Sequence, residues 1–336
     1  MIKKAISKVF LIISSVACLQ IISTILLARH FNKSEMGLYR LILTIVELGT
    51  MVSLFGSDYS LVRFFSKEET AFHAYDWMSF VKKIFIVSLA LIAVCTALGT
   101  ILYGFDTWAI ITLPILMSLL ASIFLFSALL RAQRKYTLAI FFNRCNFAIF
   151  FLFIITLYFL KSLTLSAAFS SFIIAASIAN GILIYYCKKH IPVGDKKIPL
   201  AVFKNSFPYF GLGVTILLIL QTGPLLIGKI LSYRELAIYV VIASLMRIFE
   251  FSQDASYYVL VPYMNAKDTI PMKKLFLGVL AMGIAISLFY AFSGTFIINL
   301  CFRGLYNEGK YLLPYFIAIG LIRTLYILPA SFIGGR

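Results

Sequence analysis

Residues Val9–Val62 read VFLIISSVACLQIISTILLARHFNKSEMGLYRLILTIVELGTMVSLFGSDYSLV. Two apolar runs, Val9–Ala28 and Gly37–Val62, flank a short polar pause holding Arg29, His30, Asn32, Lys33, Ser34 and Glu35. A hydrocarbon core about 30 Å thick takes about 20 mostly apolar residues in a helix, and both runs reach that length. In lipid the backbone satisfies its own polar groups only as a helix or as a closed barrel. The short alternating segments of a membrane barrel, roughly 10 residues each, are absent here. The stretch therefore reads as two membrane-spanning helices joined by a tight connection.

Working outward, the pattern continues to the end of the chain. Further candidate spans run near Ile84–Tyr103, Ala109–Leu130, Leu138–Leu160, Ser166–Cys187, Phe207–Leu231, Leu236–Met264, Leu275–Phe302 and Leu312–Phe332. The expectation is an all-α polytopic membrane protein of about ten transmembrane helices. Composition agrees. Of 336 residues, 62% are hydrophobic and only 13% charged, and the mean hydropathy is +0.98. A soluble domain carries about 25% charged residues, so a soluble enzyme, a disordered chain and a nucleic-acid-binding domain are set aside.

The start, MIKKAISKVFLIISSVAC, is similar to a secretory signal, but nine further spans follow, and an uncleaved first helix is expected. Cys18, Cys95, Cys145, Cys187 and Cys301 are scattered and form no CxxC pair. They read as small hydrophobes of the helices. His30, His73 and His190 lie in polar connections, so no metal site and no cofactor is expected.

The net charge of +17 is mostly a topology signal. With a cytoplasmic N-terminus, nineteen basic residues fall on the inner side, among them Lys3, Lys4, Arg63, Lys82, Lys83, Arg131, Arg134, Lys188 and Lys189. Seven fall on the outer side, among them Arg29, Lys33, Lys229 and Arg303. The positive-inside rule then places the N-terminus in the cytoplasm. The longest basic connection, CKKHIPVGDKKIPLAVFK, carries Pro192, Gly194 and Pro199, which break a helix. The chain divides accordingly into a six-span bundle over 1–187, a basic cytoplasmic linker over 188–206 and a four-span bundle over 207–336.

An internal repeat supports that division. LLARHFNKSEMGLY from Leu26 aligns with LIGKILSYRELAIY from Leu226. Leu26/Leu226, Glu35/Glu235 and Tyr39/Tyr239 are identical, and both segments lie where the first helix of a half meets the second. Repeated halves with a substrate site at their interface are a common transporter construction. Six spans in the first half imply six in the second, so the expectation is a repeat of six-helix type whose second copy is incomplete by about two spans.

Charges inside spans cost about 2.5–3.5 kcal/mol each at a helix centre, so they mark places with a partner or a cavity. Arg40, Glu47 and Asp58 fall within about 20° of one line if the second span is one helix. Arg247, Glu250 and Asp254 share a face of the eighth span, with Tyr258 further along. Arg247 and Glu250 can also pair within their own helix. Glu47 and Arg247 are equivalent in the repeat, which suggests that the second and eighth spans face each other across a central cavity. Arg323 lies near the middle of the tenth span with no acidic residue within a turn. Arg144, between Asn143 and Asn146, lies where it can also snorkel to the cytoplasmic interface. The run Gln221-Thr222-Gly223-Pro224 interrupts the seventh span, because proline frees a carbonyl that must line protein or water. Gln20 is a weaker candidate. An excess of intramembrane cations favours an anionic passenger, since guanidinium groups hold phosphate bidentately.

The segment LLARHFNKSEMGLYRL, with Gly56 and Val62-Arg63-Phe64 after it, resembles the Wzx-type polysaccharide (O-antigen) flippases. Their superfamily also holds multidrug/toxin extruders and the lipid II flippase. LLRAQRKY (Leu129–Tyr136) and PLLIGKILSYRELAIY (Pro224–Tyr239) resemble the family's connections after the fourth span and in the second half. Three features depart from the pattern: no glycine near Asn32, Gly-Pro at Gly223 where members often carry an acid, and fewer than the usual twelve to fourteen spans.

The resemblance implies flipping of undecaprenyl-diphosphate-linked oligosaccharide repeat units across the bacterial cytoplasmic membrane. It implies alternating access coupled to a proton or sodium ion. It further implies membrane lipids, a polysaccharide polymerase and a chain-length regulator as partners. Arg40, Arg247, Arg323 and Arg144 would then bind substrate, and Glu47, Asp58, Glu250 and Asp254 would serve ion coupling or charge balance. A drug/cation antiporter of the same superfamily is the alternative, although cationic drugs favour acidic cavities. An enzyme is not expected, because no nucleophile motif or paired His/Asp face is present. No nucleotide-binding motif is present either.

Overall fold

The structure is a computed structural model that describes residues 2–67, 75–199, 202, 206–247, 249 and 272–334. Eleven α-helices run in chain order among them: α1 Ile2–His30, α2 Lys33–Leu54, α3 Ser57–Lys67, α4 Trp77–Tyr103, α5 Thr107–Ala132, α6 Tyr136–Phe159, α7 Leu165–His190, α8 Ser206–Leu226, α9 Tyr233–Leu245, α10 Met272–Phe302 and α11 Leu313–Gly334. No strand occurs among the described residues. Seven helices there are long and apolar enough to cross a membrane, with windows at Leu11–His30, Lys33–Leu54, Trp77–Tyr103, Thr107–Ala132, Tyr136–Phe159, Leu165–His190 and Phe276–Phe302. The all-α, multi-pass membrane architecture read from the sequence is therefore observed. The expected seventh and tenth spans fall on α8 and α11. The expected eighth span is described only through α9, Met246, Arg247 and Phe249; the rest of it lies outside the described residues.

The chain groups into two compact units, Ser34–Leu236 and Met1–Lys33 with Ala237–Arg336. Within Ser34–Leu236, α5 is the central helix and packs against α3, α4, α6 and α7. Leu113, Leu116, Met117 and Leu129 are fully buried on it. Local signals start the helices around it. The Asp76 carboxylate accepts a 3.0 Å bond from the Ser79 amide at the start of α4, and the Thr164 hydroxyl accepts from the Ala167 amide at the start of α7. These are N-caps that satisfy orphan amides. Lys188, Lys189 and His190 close α7, where cations oppose the negative end of the helix dipole. Beyond α7 the linker turns irregular. The Asp76 amide donates to the Lys196 carbonyl at 2.8 Å, and Trp77 Nε1 donates to the Pro192 carbonyl. Gly37 lets the start of α2 meet the start of α9, because a β-carbon there would fall 1.8 Å from the Tyr233 carbonyl oxygen.

The expected second span, Gly37–Val62, is not one helix. It ends at Leu54, and α3 begins at Ser57. Phe55 (φ 50°) and Gly56 (φ 67°) lie in the left-handed region, which ends a right-handed helix. Serines take up carbonyls around the break: Ser53 donates to Thr50 at 2.7 Å, Ser57 to Leu54 at 2.6 Å, and Ser88 of α4 to Ser53 at 2.8 Å. The seventh span also differs from expectation. α8 runs helically through Pro224, and the irregularity lies just after it, as a π-turn over Ile227–Leu231. A wide turn of this kind absorbs the missing proline donor without ending the helix path.

In the other unit, α10 and α11 pack together, joined through a 3-10 turn over Asn307–Leu312, and α1 lies against α10. Arg29 at the end of α1 donates from Nε to the Cys301 carbonyl at 2.6 Å and from Nη2 to the Leu300 carbonyl at 2.7 Å. This fork caps the last turn of α10. Lys33 pairs with Glu308, and the buried Tyr306 hydroxyl donates to the Ala28 carbonyl at 3.4 Å. Burial pushes the Tyr306 phenol up to about 12, so it stays a donor at neutral pH. Away from these contacts α10 shows Phe289, Phe292 and Phe296 on its surface, as a lipid-facing helix does.

Candidate functional site

Three polar groups stand out inside Ser34–Leu236. The first lies on α2 and α8. Arg40 Nη1 is 3.5 Å from Glu47 Oε1, and the buried Gln221 donates from Nε2 to Glu47 Oε2 at 2.7 Å. Arg40 and Glu47 therefore share a face, as their seven-residue spacing implies. Glu47 is the only ion-pair partner of Arg40 among the described residues. Gln221 entered the sequence reading only as part of a helix interruption; its amide instead holds a charged residue of another helix.

The second group corrects the stripe expected along the second span. Asp58 is not in line with Arg40 and Glu47, because the break at Phe55–Gly56 places it in the first turn of α3. Its partner is Arg131, at 3.3 Å, in the last turn of α5. The Arg131 guanidinium lies 5.7 Å from the centre of the Tyr59 ring, within cation–π range. From the sequence alone Arg131 reads as a loop cation, although it stands in the LLRAQRKY segment that carries the family resemblance. Burial pushes the Asp58 carboxyl up from its ordinary value, and Arg131 beside it pulls it back part of the way.

The third group is Arg144 on α6, half-buried, two residues before the buried Asn146. Neither side-chain polar atom of Asn146 has a hydrogen-bond partner, which is costly for a buried amide.

In the other unit, Arg247 Nη1 donates to Gln20 Oε1 of α1 at 3.4 Å. This joins the weaker candidate Gln20 to one of the stronger ones. Arg323 lies on α11 beside the fully buried Thr324, and it too is partnered. Glu250 and Asp254 lie outside the described residues, and with them the remainder of that expected stripe.

Long apolar helices that carry ion pairs and arginines mark a multi-pass membrane protein. Residues 2–266 match the family described as polysaccharide biosynthesis protein, and the chain belongs to that family. The family resemblance read from the sequence is thereby borne out, and the chain is a multi-pass membrane protein of the polysaccharide biosynthesis family. No curated protein matches the chain significantly. Among solved structures, a chain described as "protein A" is similar, with a TM-score of 0.62 at 13% identity, covering 99% of this chain and 84% of that one. This likeness concerns the fold. A crystal structure of a MATE mutant aligns with a TM-score of 0.48 at 14% identity, with the same coverage of both chains.

Proposed function

We propose that this protein moves an oligosaccharide repeat unit linked to undecaprenyl diphosphate across the bacterial cytoplasmic membrane. It does so by alternating access between the bundles over 1–187 and 207–336, joined by the linker 188–206, with the N-terminus in the cytoplasm. The observation that supports this most directly is Arg40. It is a cation within an apolar span whose one acidic partner among the described residues stands at 3.5 Å, longer than the 2.7–2.9 Å or so of a closed charge-assisted bond. Toward the described residues most of its five donors are left open to a second anion. A diphosphate is the part of a lipid-linked sugar that presents parallel oxygens to such a fork.

In this reading Arg40, Arg144, Arg247 and Arg323 bind the diphosphate or acidic sugars. Glu47, Glu250 and Asp254 serve coupling to a proton or sodium ion, and Asp58, held by Arg131, serves charge balance. A polymerase and a chain-length regulator would receive the delivered unit. The test is replacement of Arg40, Arg247 or Arg323 by Ala in the source strain, with surface polysaccharide as the readout and membrane level checked by blotting. Loss of polymer at normal protein level is expected. Normal polymer with every variant overturns the assigned roles, and dye efflux that persists without surface glycan favours the drug/cation antiporter instead.

A further inference from the structure

The geometry around Glu47 points to Gln221 as a positioning residue: we infer that its amide holds the Glu47 carboxylate back from Arg40 and so keeps the guanidinium open to a polyprenyl diphosphate. This rests on the reading of Arg40 as an anion-binding group.

The two contacts of Glu47 are unequal. The amide–carboxylate bond is 2.7 Å, at the short end for an amide donor to a carboxylate, and Gln221 is buried. The guanidinium–carboxylate separation is 3.5 Å, too long for a closed pair. Helix geometry explains part of the difference. Arg40 and Glu47 are two turns apart on α2, about 10 Å along the axis, beyond the i, i+4 spacing at which side chains meet readily. Both side chains must stretch to approach. The amide from α8 adds a pull in another direction and fixes one carboxylate oxygen.

Without the amide, the carboxylate is free to rotate onto Arg40 and close the pair. A closed internal pair competes with an incoming phosphate for the same donors. The internal carboxylate is covalently present at high effective concentration, so the competition is real even though each contact is modest. With the amide, Glu47 keeps Arg40 oriented while leaving its fork available. Gln221 thus acts through Glu47 and touches no ligand.

A double-mutant cycle on the full chain tests this. The purified protein in detergent micelles is titrated with farnesyl diphosphate, a short polyprenyl diphosphate, by calorimetry. Gln221→Met, close in length and volume, removes the amide; Gln221→Leu is a second route to the same loss, and melting curves identify which of them is folded. We expect Gln221→Met to weaken binding about tenfold. Glu47→Gln in the same chain restores binding to within about twofold of the Glu47→Gln single variant. Unchanged affinity in both folded Gln221 variants overturns the inference, as does a loss that Glu47→Gln fails to rescue. Arg40→Ala separates the two layers. If it binds farnesyl diphosphate like the unmodified chain, the anion-binding reading of Arg40 falls. If it abolishes binding while Gln221→Met has no effect, only the role of Gln221 falls.

Discussion

Arg131 Nη2 lies 3.3 Å from Oδ2 of Asp58, and the Asp58 side chain is only 8% exposed. The pair ties the last turn of α5 to the first turn of α3 across 73 residues of sequence. The carboxylate has two further sources of support, the Tyr59 backbone amide and the positive end of the α3 dipole. Even so, burial outweighs them and raises its proton affinity. The pair is thus a charged joint close to the limit of what its surroundings tolerate.

Removing Arg131 exposes that limit. Arg131→Met leaves Asp58 buried without its counter-charge, and breaking a buried pair from one side costs about 3–5 kcal/mol. Arg131 is 29% exposed, so the lower figure of about 3 kcal/mol applies. The sign with pH follows from linkage. A carboxyl whose affinity is raised in the folded state keeps its proton there at a pH where the unfolded chain has lost it. Stability therefore falls as pH rises from the ordinary value of 3.8 through the raised one. The variant and the unmodified protein should melt close together in acid and diverge toward neutral pH. Adding Asp58→Asn should recover most of the loss, as read by thermal melts in detergent.

The long apolar helices were legible because period and length act within one segment. Leu138–Leu160, for example, needs only its own residues to be read as a span. The face shared by Arg40 and Glu47 was legible for the same reason. The break at Phe55–Gly56 was not, because a glycine within an apolar run is common and the decisive event is backbone torsion. Nor were the partnerships Gln221–Glu47 and Arg131–Asp58, which join separate helices and arise only when those helices pack. Spacing along one helix reads a side chain's face, and it carries no information on what another helix brings to it.

Gly56 is required by its torsion. At φ 67° a β-carbon meets the following carbonyl, a cost of about 1–2 kcal/mol. Gly56→Ala should lower stability by about 1 kcal/mol, and Gly56→Val by more, because branching adds to the clash. Phe55, at φ 50°, already bears such strain. Its ring lies tilted against that of Phe210, with centroids 4.6 Å apart, and aromatic pairs contribute about 0.5–1.5 kcal/mol. Phe55→Gly relieves the strain and loses the contact, so its melting temperature should change less than that of Gly56→Val.

Arg29 closes α10 with two bonds to successive carbonyls, Leu300 and Cys301. A guanidinium donates both at once from a rigid fork, whereas a lysine ammonium is a compact point charge on a flexible stem. Hydrogen bonds to charged groups are worth about 1.5–3 kcal/mol each when well shielded. This site is partly exposed, which reduces them. Arg29→Met should cost about 2 kcal/mol and Arg29→Lys about 1 kcal/mol, a graded loss measurable in the same melts. Equal losses for the two substitutions would show that charge, and not the fork, is what α10 needs.

Ser60 on α3 and Ser206 at the start of α8 are joined by a hydrogen bond between their hydroxyls, 2.7 Å apart and buried. α3 packs on α8 here, one end of the contact at the break after α2 and the other at the end of the linker. The alternating access proposed above requires elements at such a break to shift. Cysteines at both places, with Cys18, Cys95, Cys145, Cys187 and Cys301 changed to Ala, should form a disulfide on mild oxidation, detectable as a linked peptide by mass spectrometry. Side chains that already touch need little backbone movement to meet the bond's geometry. In the source strain the oxidised double variant should stop surface polysaccharide, and reduction should restore it. Continued polymer export with the disulfide formed would place the moving parts elsewhere and leave α3 and α8 as one rigid piece.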